Sequence, residues 1–175
     1  MTYNPSISID DHMTVEEQIE IIKRARALIH EPTSWAQGAW KCEVKKFDET
    51  GTYVPACTPN GTPQYAYCVE GAINQATYDV IGEGRAMHLG AVVFNEETGL
   101  LDFKGNEELL GYDPTKLLGI DELAQDMFGF DCAMEYNDHE EESDGEADPQ
   151  EIHKGILSML SERLRQLTVK KEMAA

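Results

Sequence analysis

Apolar residues recur at helical spacing in four segments of this chain, and this periodicity limits the fold more than any other feature of the sequence. The first helix is predicted over 14–30, because Thr14 and Glu17 form a capping box and Pro32 interrupts the pattern. The other three helices are predicted to begin at Cys68, Asp121 and Asp148. We therefore expect most of the chain to be helical.

Two regions instead have the pattern of strands. Residues 40–47 alternate between apolar and polar side chains, which predicts a strand with Trp40, Cys42, Val44 and Phe47 on one buried face. Residues 91–103 contain two apolar runs around a turn and predict a hairpin. Residues 55–64 hold three prolines and an Asn-Gly pair, so a loop is predicted there. The expected fold class is α+β, a helix-rich single domain with one small antiparallel sheet or hairpin.

The length of the chain, 175 residues, is typical of one domain with a substantial core. We predict a flexible arm over 1–12, a single α+β domain over 13–168, and a frayed tail over 169–175. Within the domain, an acidic loop is predicted at 138–151.

The chain is strongly acidic, with 33 aspartates and glutamates, 14 lysines and arginines, and a net charge of -19. Phosphate contacts need basic side chains, so direct nucleic-acid binding and attraction to an anionic membrane surface are not expected. The expected charged partner is a basic protein surface or a metal ion. An equally weighted alternative is that the charge only keeps the protein in solution.

The sequence predicts an intracellular, cytoplasmic protein. It contains no apolar run long enough to cross a bilayer, and its first residues lack the pattern of a signal peptide. The cysteines are then expected to be reduced, and none forms a Cys-x-x-Cys pair; they are Cys42, Cys57, Cys68 and Cys132. No cofactor is predicted.

The acidic loop concentrates charge where a partner could bind. Its predicted binding carboxylates are Asp138, Glu140, Glu141, Glu142, Asp144, Glu146, Asp148 and Glu151. A weaker alternative is a calcium loop, because a glycine at position six and a glutamate at position twelve match an EF-hand. That loop would use Glu140, Glu142, Asp144 and Glu151, but a solvated charge run is the favoured interpretation.

Cys68 is the candidate nucleophile, because it lies at the predicted start of a helix, where the backbone amides stabilise a thiolate. Gln37 is a candidate oxyanion donor, His88 or His139 a candidate base, and Asn137 a candidate assisting residue, in an arrangement similar to that of papain-like hydrolases. Free cysteines are also among the most buried residues, so a structural Cys68 is favoured.

His139 and His153 lie near carboxylates at the start of the last helix and raise the question of a transition-metal site. Their spacing matches no metal signature, so solvated or capping histidines are expected instead, and no metal site is predicted.

Three short segments follow one another along the chain: Trp35-Ala36-Gln37-Gly38-Ala39, Tyr67-Cys68-Val69-Glu70-Gly71-Ala72 and Tyr136-Asn137-Asp138. This order resembles a small family of unknown function found in actinobacteria and their phages. The resemblance implies no activity and marks only positions, which are Trp35, Gln37, Gly38, Cys68, Gly71, Asn137 and Asp138. Relative to that family, residues 85–119 are a predicted insertion and the acidic loop is longer than the usual turn.

The marked positions allow two interpretations. Cys68, Gln37 and the Asn137-Asp138 pair could form a small polar pocket, or Gln37 and Asn137 could cap helix ends while Trp35 and Gly71 pack in the core. The structural interpretation is favoured, because polar residues at helix boundaries usually bind the backbone.

The lead functional hypothesis is a small acidic accessory protein, of the kind that phages encode, which binds a basic protein surface. In the most specific form of this hypothesis, the protein inhibits a nucleic-acid-handling protein by mimicking the charge of nucleic acid. The alternative is a cysteine-dependent hydrolase or transferase that uses Cys68. The sequence leaves the oligomeric state open.

Overall fold

The computed structural model of the protein describes residues 8–91, 93–95, 100–102, 114–139 and 148–175. Within these ranges the fold is α+β and rich in helix, as predicted. The helices are α1 (Val15–Leu28), α2 (Val69–Ile81), α3 (Glu83–His88), α4 (Pro114–Leu117), α5 (Ile120–Phe128), α6 (Ala133–Asn137) and α7 (Pro149–Ala174). The strands are β1 (Lys41–Glu43), β2 (Lys45–Phe47), β3 (Tyr53–Pro55), β4 (Tyr65–Tyr67), β5 (Val93–Asn95) and β6 (Leu100–Asp102).

The helix starts predicted from capping residues are confirmed. Thr14 caps α1, and its hydroxyl accepts from the Glu17 amide while the Glu17 carboxylate accepts from the Thr14 amide. Asp148 caps α7 by accepting from the Gln150 amide at 2.9 Å, with Pro149 in the first helical position. Capping side chains satisfy amides that have no partner within the helix, which is why these short motifs locate helix ends.

Both chain ends contain helical structure in the described residues. Residues 1–7 of the predicted arm over 1–12 lie outside the described residues, while Ile9–Asp11 form a 3-10 helix in which Asp10 binds both Gln18 and Lys170. At the other end, α7 continues through the predicted frayed tail as far as Ala174. The tail residues favour helix intrinsically, and Lys170 is held by its contacts with Asp10 at 2.6 and 2.8 Å.

The core lies between α1, α2 and α7, with α4 to α6 packed against them. Its largest fully buried side chains are aliphatic or methionine, except for Gln18. They include Met13, Ile21, Ile22, Ile29, Ile73, Leu118, Ile120, Ile156, Met159, Leu160 and Leu167. Most of these residues come from the stripes at helical spacing, so burial of those stripes stabilises the fold; Met13 and Leu118 lie just outside the helices.

The strands form three separate antiparallel pairs, β1 with β4, β2 with β3, and β5 with β6. The last pair is the predicted hairpin. The other two form an extension from the helical core, in which the predicted loop over 55–64 contributes Pro55 of β3 and a bridge between Cys57 and Pro63.

The buried strand face predicted over 40–47 is only partly found. Trp40 and Val44 are half-buried, whereas Cys42 is exposed, and the side chain of Phe47 is 62% exposed with its ring 4.1 Å from that of Tyr53. All three residues of β2 are exposed, so alternation there does not produce a buried face.

In the described part of the chain, no helix combines the length and the apolar composition that spanning a bilayer requires.

Candidate functional site at the Asn137 cluster

The three segments that suggested a family meet around one buried side chain, that of Asn137 at the end of α6. Its Oδ1 accepts from the Trp35 indole at 2.8 Å and from the Val69 amide at 3.2 Å. Its Nδ2 donates to the Ala36 carbonyl at 3.0 Å and to Asp138 at 2.7 Å. Both donors and both acceptor positions of the amide are therefore used.

Gln37 and Gly38 complete this arrangement, which we call the Asn137 cluster (residues 35–38, 68–71 and 137–138). Gln37 Nε2 donates to the Asn137 carbonyl at 2.8 Å, and the Gly38 amide donates to Asp138 Oδ1 at 2.9 Å. Gly38 has φ +65°, a conformation that glycine adopts without steric cost. The predicted oxyanion donor Gln37 and assisting residue Asn137 thus both serve to hold backbone segments together.

His153 of α7 supports the cluster from the other side of Trp35. The two rings stack with centroids 5.2 Å apart, and His153 Nε2 lies 2.7 Å from the Ile29 carbonyl at the end of α1. A carbonyl oxygen only accepts, so Nε2 carries the proton. His153 is therefore a capping histidine, one of the two predicted forms, but it is buried rather than solvated.

Cys68 caps the N-terminus of α2, as predicted, and its Sγ accepts from the Gly71 amide at 3.4 Å. Cys68 is only 3% exposed, which supports the structural Cys68 favoured by the sequence over the activated thiolate considered beside it. Burial, with smaller contributions from the charges of Glu70 and Asp138, raises the pKa of the Cys68 thiol to about 12. These effects outweigh the stabilisation from the amides at the start of the helix.

Gly71 lets the first turn of α2 approach the chain at Trp40. A Cβ at residue 71 would collide with the Trp40 carbonyl oxygen and lie 3.0 Å from the carbonyl carbon. The Cys68 amide also donates to that carbonyl at 3.2 Å. The glycine in this segment therefore has a packing role, as the structural interpretation predicted for it.

A cavity of about 310 Å³ opens beside Cys68. Its lining residues are Gly38, Ala39, Trp40, Cys68, Glu70, Met134 and Asp138. Two of them carry carboxylates, and Trp40 contributes a buried indole Nε1 that has no acceptor among the described residues. An anionic cavity with an aromatic wall suits a cationic group. Trp40, Glu70 and Met134 were not predicted as site residues, because their approach depends on the packing of α6 against α2.

The described contacts of the two predicted bases do not include Cys68. His88 ends α3, beyond the C-terminus of α2, and its ring centroid lies 6.1 Å from that of His12. Since α2 has 13 residues and is roughly 20 Å long, Cys68 and His88 lie near its opposite ends. His139 packs its ring against Phe130 with centroids 4.8 Å apart. The hydrogen bond of Cys68 Sγ in the described structure is instead with the Gly71 amide.

Three of the eight predicted binding carboxylates lie in the described residues, and all three have partners within the chain. Asp138 belongs to the Asn137 cluster, Asp148 caps α7, and Glu151 pairs with Lys154 at 2.6 Å. The other five, which include most of the predicted calcium ligands, lie outside the described residues; they are Glu140, Glu141, Glu142, Asp144 and Glu146. In the described ranges no three His, Cys, Asp or Glu side chains are grouped closely enough to hold a metal ion.

Comparison with known proteins gives a family and no activity. No curated protein and no solved structure matches the chain. The profile of a family of unknown function, DUF6197, matches residues 13–147, which include all of the Asn137 cluster and leave out α7. The resemblance inferred from the sequence is thus confirmed at the level of the family. The chain belongs to the DUF6197 family of unknown function.

Proposed function

We propose that this protein is an acidic accessory protein of the bacterial cytoplasm, encoded by a phage or its actinobacterial host, that binds a basic surface of another protein. The observation that carries the proposal is the anionic cavity beside Cys68, which has the size and chemistry to receive a lysine or arginine side chain of the partner. In its sharpest form, such binding would inhibit a nucleic-acid-handling protein by occupying its phosphate-binding residues.

The charge around the cavity supports this proposal. Residues 117–153 contain no lysine or arginine and carry 13 of the 33 acidic residues. In the described structure this segment comprises α5 and α6, which pack against each other, and their exposed acids include Glu122, Asp126, Asp131 and Glu135. A field of one sign over a continuous surface attracts a partner of opposite charge and accelerates association.

Exposed methionines give the same surface an apolar component. Met127 on α5 is 40% exposed and Met134 on α6 is 46% exposed. Met134 also lines the cavity beside Cys68. Methionine adapts its shape to a partner and is enriched in the buried centres of protein interfaces, where lysine and glutamate are depleted.

The basic residues of the protein neutralise only a small part of this acidic segment. Of six ion pairs formed by lysines and arginines in the described structure, five involve carboxylates outside 117–153, and the sixth joins Lys154 to Glu151. Even a complete pairing of all 14 bases would leave most of the 33 acids without a cation.

The proposal is tested by affinity capture from a host lysate at low and high salt, with quantitative mass spectrometry and then direct titration of the purified partner. We expect basic proteins to be recovered at low salt and lost at high salt. Met134→Arg places a cation at the cavity and should abolish their recovery. Met173→Arg, at a position 83% exposed near the end of α7, is the matched control and should leave recovery unchanged.

A second pair of variants tests the acidic surface separately. Asp131→Lys with Glu135→Lys should weaken capture, whereas Glu20→Lys with Glu49→Lys, which changes the net charge equally at other exposed positions, should not. Equal recovery with both pairs, or with Met134→Arg and Met173→Arg, would contradict the proposed surface.

The alternative function, a cysteine-dependent hydrolase or transferase, is supported by the position of Cys68 at a helix start beside a cavity. The raised pKa of the thiol and the distant His88 weigh against it. Cys68→Ala distinguishes the two proposals. It should leave partner capture intact if the protein acts by binding, and abolish turnover in an intact fold if the protein is an enzyme.

A further inference from the structure

A second cavity, of about 350 Å³, lies between the N-terminal 3-10 helix, the segment from α4 to α5, and α7. It shares no lining residue with the cavity beside Cys68. Its lining combines two cations, Lys116 and Arg163, with two carboxylates, Glu122 and Asp126. In a chain with a net charge of -19, this cavity is distinguished by a lining whose formal charges balance, although its carboxylates also belong to the acidic surface of α5.

Arg163 is the central group of this cavity, which we call the Arg163 cavity. Its Nη1 donates to Gln166 Oε1 at 3.0 Å. Its Nε is buried and has no acceptor among the described residues. Burial lowers the pKa of Arg163, and the charges of Glu122 and Asp10 oppose that shift. A guanidinium stays charged even when buried, so a buried donor without an acceptor costs free energy that a bound carboxylate would recover.

Gly119 brings the opposite charges of the cavity close together. It adopts φ +71°, and a Cβ built on it would lie 3.2 Å from Arg163 Nη2 and 3.1 Å from Glu122 Oε2. The absence of a side chain at Gly119 therefore lets a cation and an anion approach the same point of the backbone.

We propose that the Arg163 cavity binds a free α-amino acid. The ligand carboxylate would accept from Nη2 of Arg163 and, after a small movement of the side chain exposes it, from Nε, since these two groups form the side of the guanidinium fork not used by Gln166. The ligand ammonium would lie between Glu122 and Asp126 and interact with both.

The lining favours this class of ligand over other anions. A phosphate or dicarboxylate would place two negative charges against two carboxylates in a strongly acidic protein, which is electrostatically unfavourable. A zwitterion presents one charge of each sign and adds no net charge. The apolar side chains of Leu117 and Leu123 line the remaining wall and suit an amino acid with an aliphatic side chain.

The experiment uses the full chain and a panel of the standard amino acids, screened by saturation-transfer NMR and then titrated by calorimetry. For leucine as probe, the decarboxylated analogue 3-methylbutylamine and the deaminated analogue 4-methylpentanoate test each charge. We expect one or more aliphatic amino acids to bind, and both analogues of that ligand to bind at least about tenfold more weakly, since each lacks one ionic contact.

Variants then locate the site. Arg163→Gln should abolish binding, and Arg163→Lys should weaken it because the ammonium lacks the planar fork. Arg165→Gln is the matched control, because Arg165 lies on the same helix, is exposed, and pairs only with Glu162 in the described structure. Asp126→Asn changes an exposed carboxylate and should weaken binding of the amino acid while leaving the melting temperature unchanged.

Three results would overturn the proposal. They are the absence of binding by every amino acid at millimolar concentration, equal binding of the amino acid and its two analogues, and equal losses in Arg163→Lys and Arg165→Gln. If Arg163→Gln does not fold, the Asp126→Asn and Arg163→Lys titrations still decide the matter.

Discussion

The indole Nε1 of Trp35 donates a 2.8 Å hydrogen bond to Oδ1 of Asn137, 102 residues later in the chain. Trp35 also stacks on His153, whose ring donates to the Ile29 carbonyl. The end of α1, the end of α6 and the start of α7 therefore converge on one tryptophan. The cavity beside Cys68 is built on this junction, so the stability of the junction and the shape of the cavity are linked.

Replacement of Asn137 should be strongly destabilising. Asn137→Ala would leave the Trp35 indole, the Val69 amide and the Ala36 carbonyl without their partner in a buried region. We expect the free energy of unfolding to fall by about 3 kcal/mol, since each unsatisfied buried group costs roughly 1–3 kcal/mol and water recovers part of the loss. Urea unfolding followed by circular dichroism measures this change, and the exposed Asn60→Ala is the control. If Asn137→Ala lowers the free energy of unfolding no more than Asn60→Ala does, the stabilising role of the Asn137 side chain is disproved.

Cys68 should react slowly with alkylating reagents. Because burial raises the pKa of its thiol to about 12, almost no thiolate is present at pH 8, and the sulfur is inaccessible. The exposed Cys42 and Cys57 should be modified by iodoacetamide much faster. Mass spectrometry of the native protein at several times and pH values measures the rate at each cysteine. Rapid labelling of Cys68 below pH 8 would instead reveal an activated thiolate and favour the enzyme.

Gly155 should not tolerate alanine, although it lies within a helix. Alanine normally stabilises a helix by about 1 kcal/mol relative to glycine. A Cβ at residue 155 would collide with the Tyr136 hydroxyl and lie 2.7 Å from its Cζ, so Gly155→Ala must displace the Tyr136 ring. We expect a net destabilisation of about 2 kcal/mol or more from this overpacking.

The control for this change is Gly84→Ala in α3, where a Cβ meets nothing within 4 Å. It should stabilise the protein slightly, by about 0.5–1 kcal/mol. Thermal unfolding of the two variants side by side measures both effects. If they shift the melting temperature in the same direction, the proposed contact between Tyr136 and α7 is wrong.

The ion pair of Glu17 and Arg85 should make stability depend on pH. Arg85 Nη1 donates to Glu17 Oε1 at 2.6 Å, and this contact, together with the Thr14 amide, lowers the pKa of Glu17 to about 2 from an ordinary 4.5. Because the pKa of Glu17 is lower in the folded protein than in the unfolded protein, its ionised carboxylate stabilises the fold at pH values above about 4.5. That contribution is lost as the pH falls from about 4.5 to about 2. Solvent screens this pair, so its contribution at neutral pH is on the order of 1 kcal/mol.

Glu17→Gln isolates that contribution, because glutamine keeps the capping box and removes the charge. We expect the variant to be less stable than the wild type at pH 7 and the difference to vanish near pH 2. The quantity to compare is the difference in the free energy of unfolding between the wild type and Glu17→Gln, because acid also relieves the repulsion among the other carboxylates in both proteins. A difference that is the same at pH 7 and pH 2 would rule out the charge as its source.

Local signals in the sequence predicted the starts of the longer helices well and missed the short helices α3, α4 and α6. The capping box at Thr14 and the Asp148-Pro149 start of α7 act within one helical turn, so their physics needs no information from the rest of the chain. The strand face predicted over 40–47 is buried only in part, because alternation alone does not say whether another layer covers the sheet.

The chemistry of the candidate sites was less accessible from the sequence. Cys68 was correctly placed at a helix start, but its pKa depends on burial and on Asp138, 70 residues away in the chain. Arg163 was missed although a signal was present. It occupies the spacing of the apolar stripe of α7, seven residues after Ile156 and four before Leu167, where a charged side chain must find a buried partner.

The sequence by itself determined the starts of α1, α2 and α7, most of the apolar faces that form the core, the net charge and, through three short segments, the family. All of these depend on neighbours within a few residues or on composition. Only the tertiary structure decided that Asn137 joins those segments, that Cys68 is buried and that Glu122 and Arg163 line one cavity. Each of these depends on contacts between distant residues, and the environment of such a contact sets the hydrogen bonding, the dielectric and the charge that a side chain experiences.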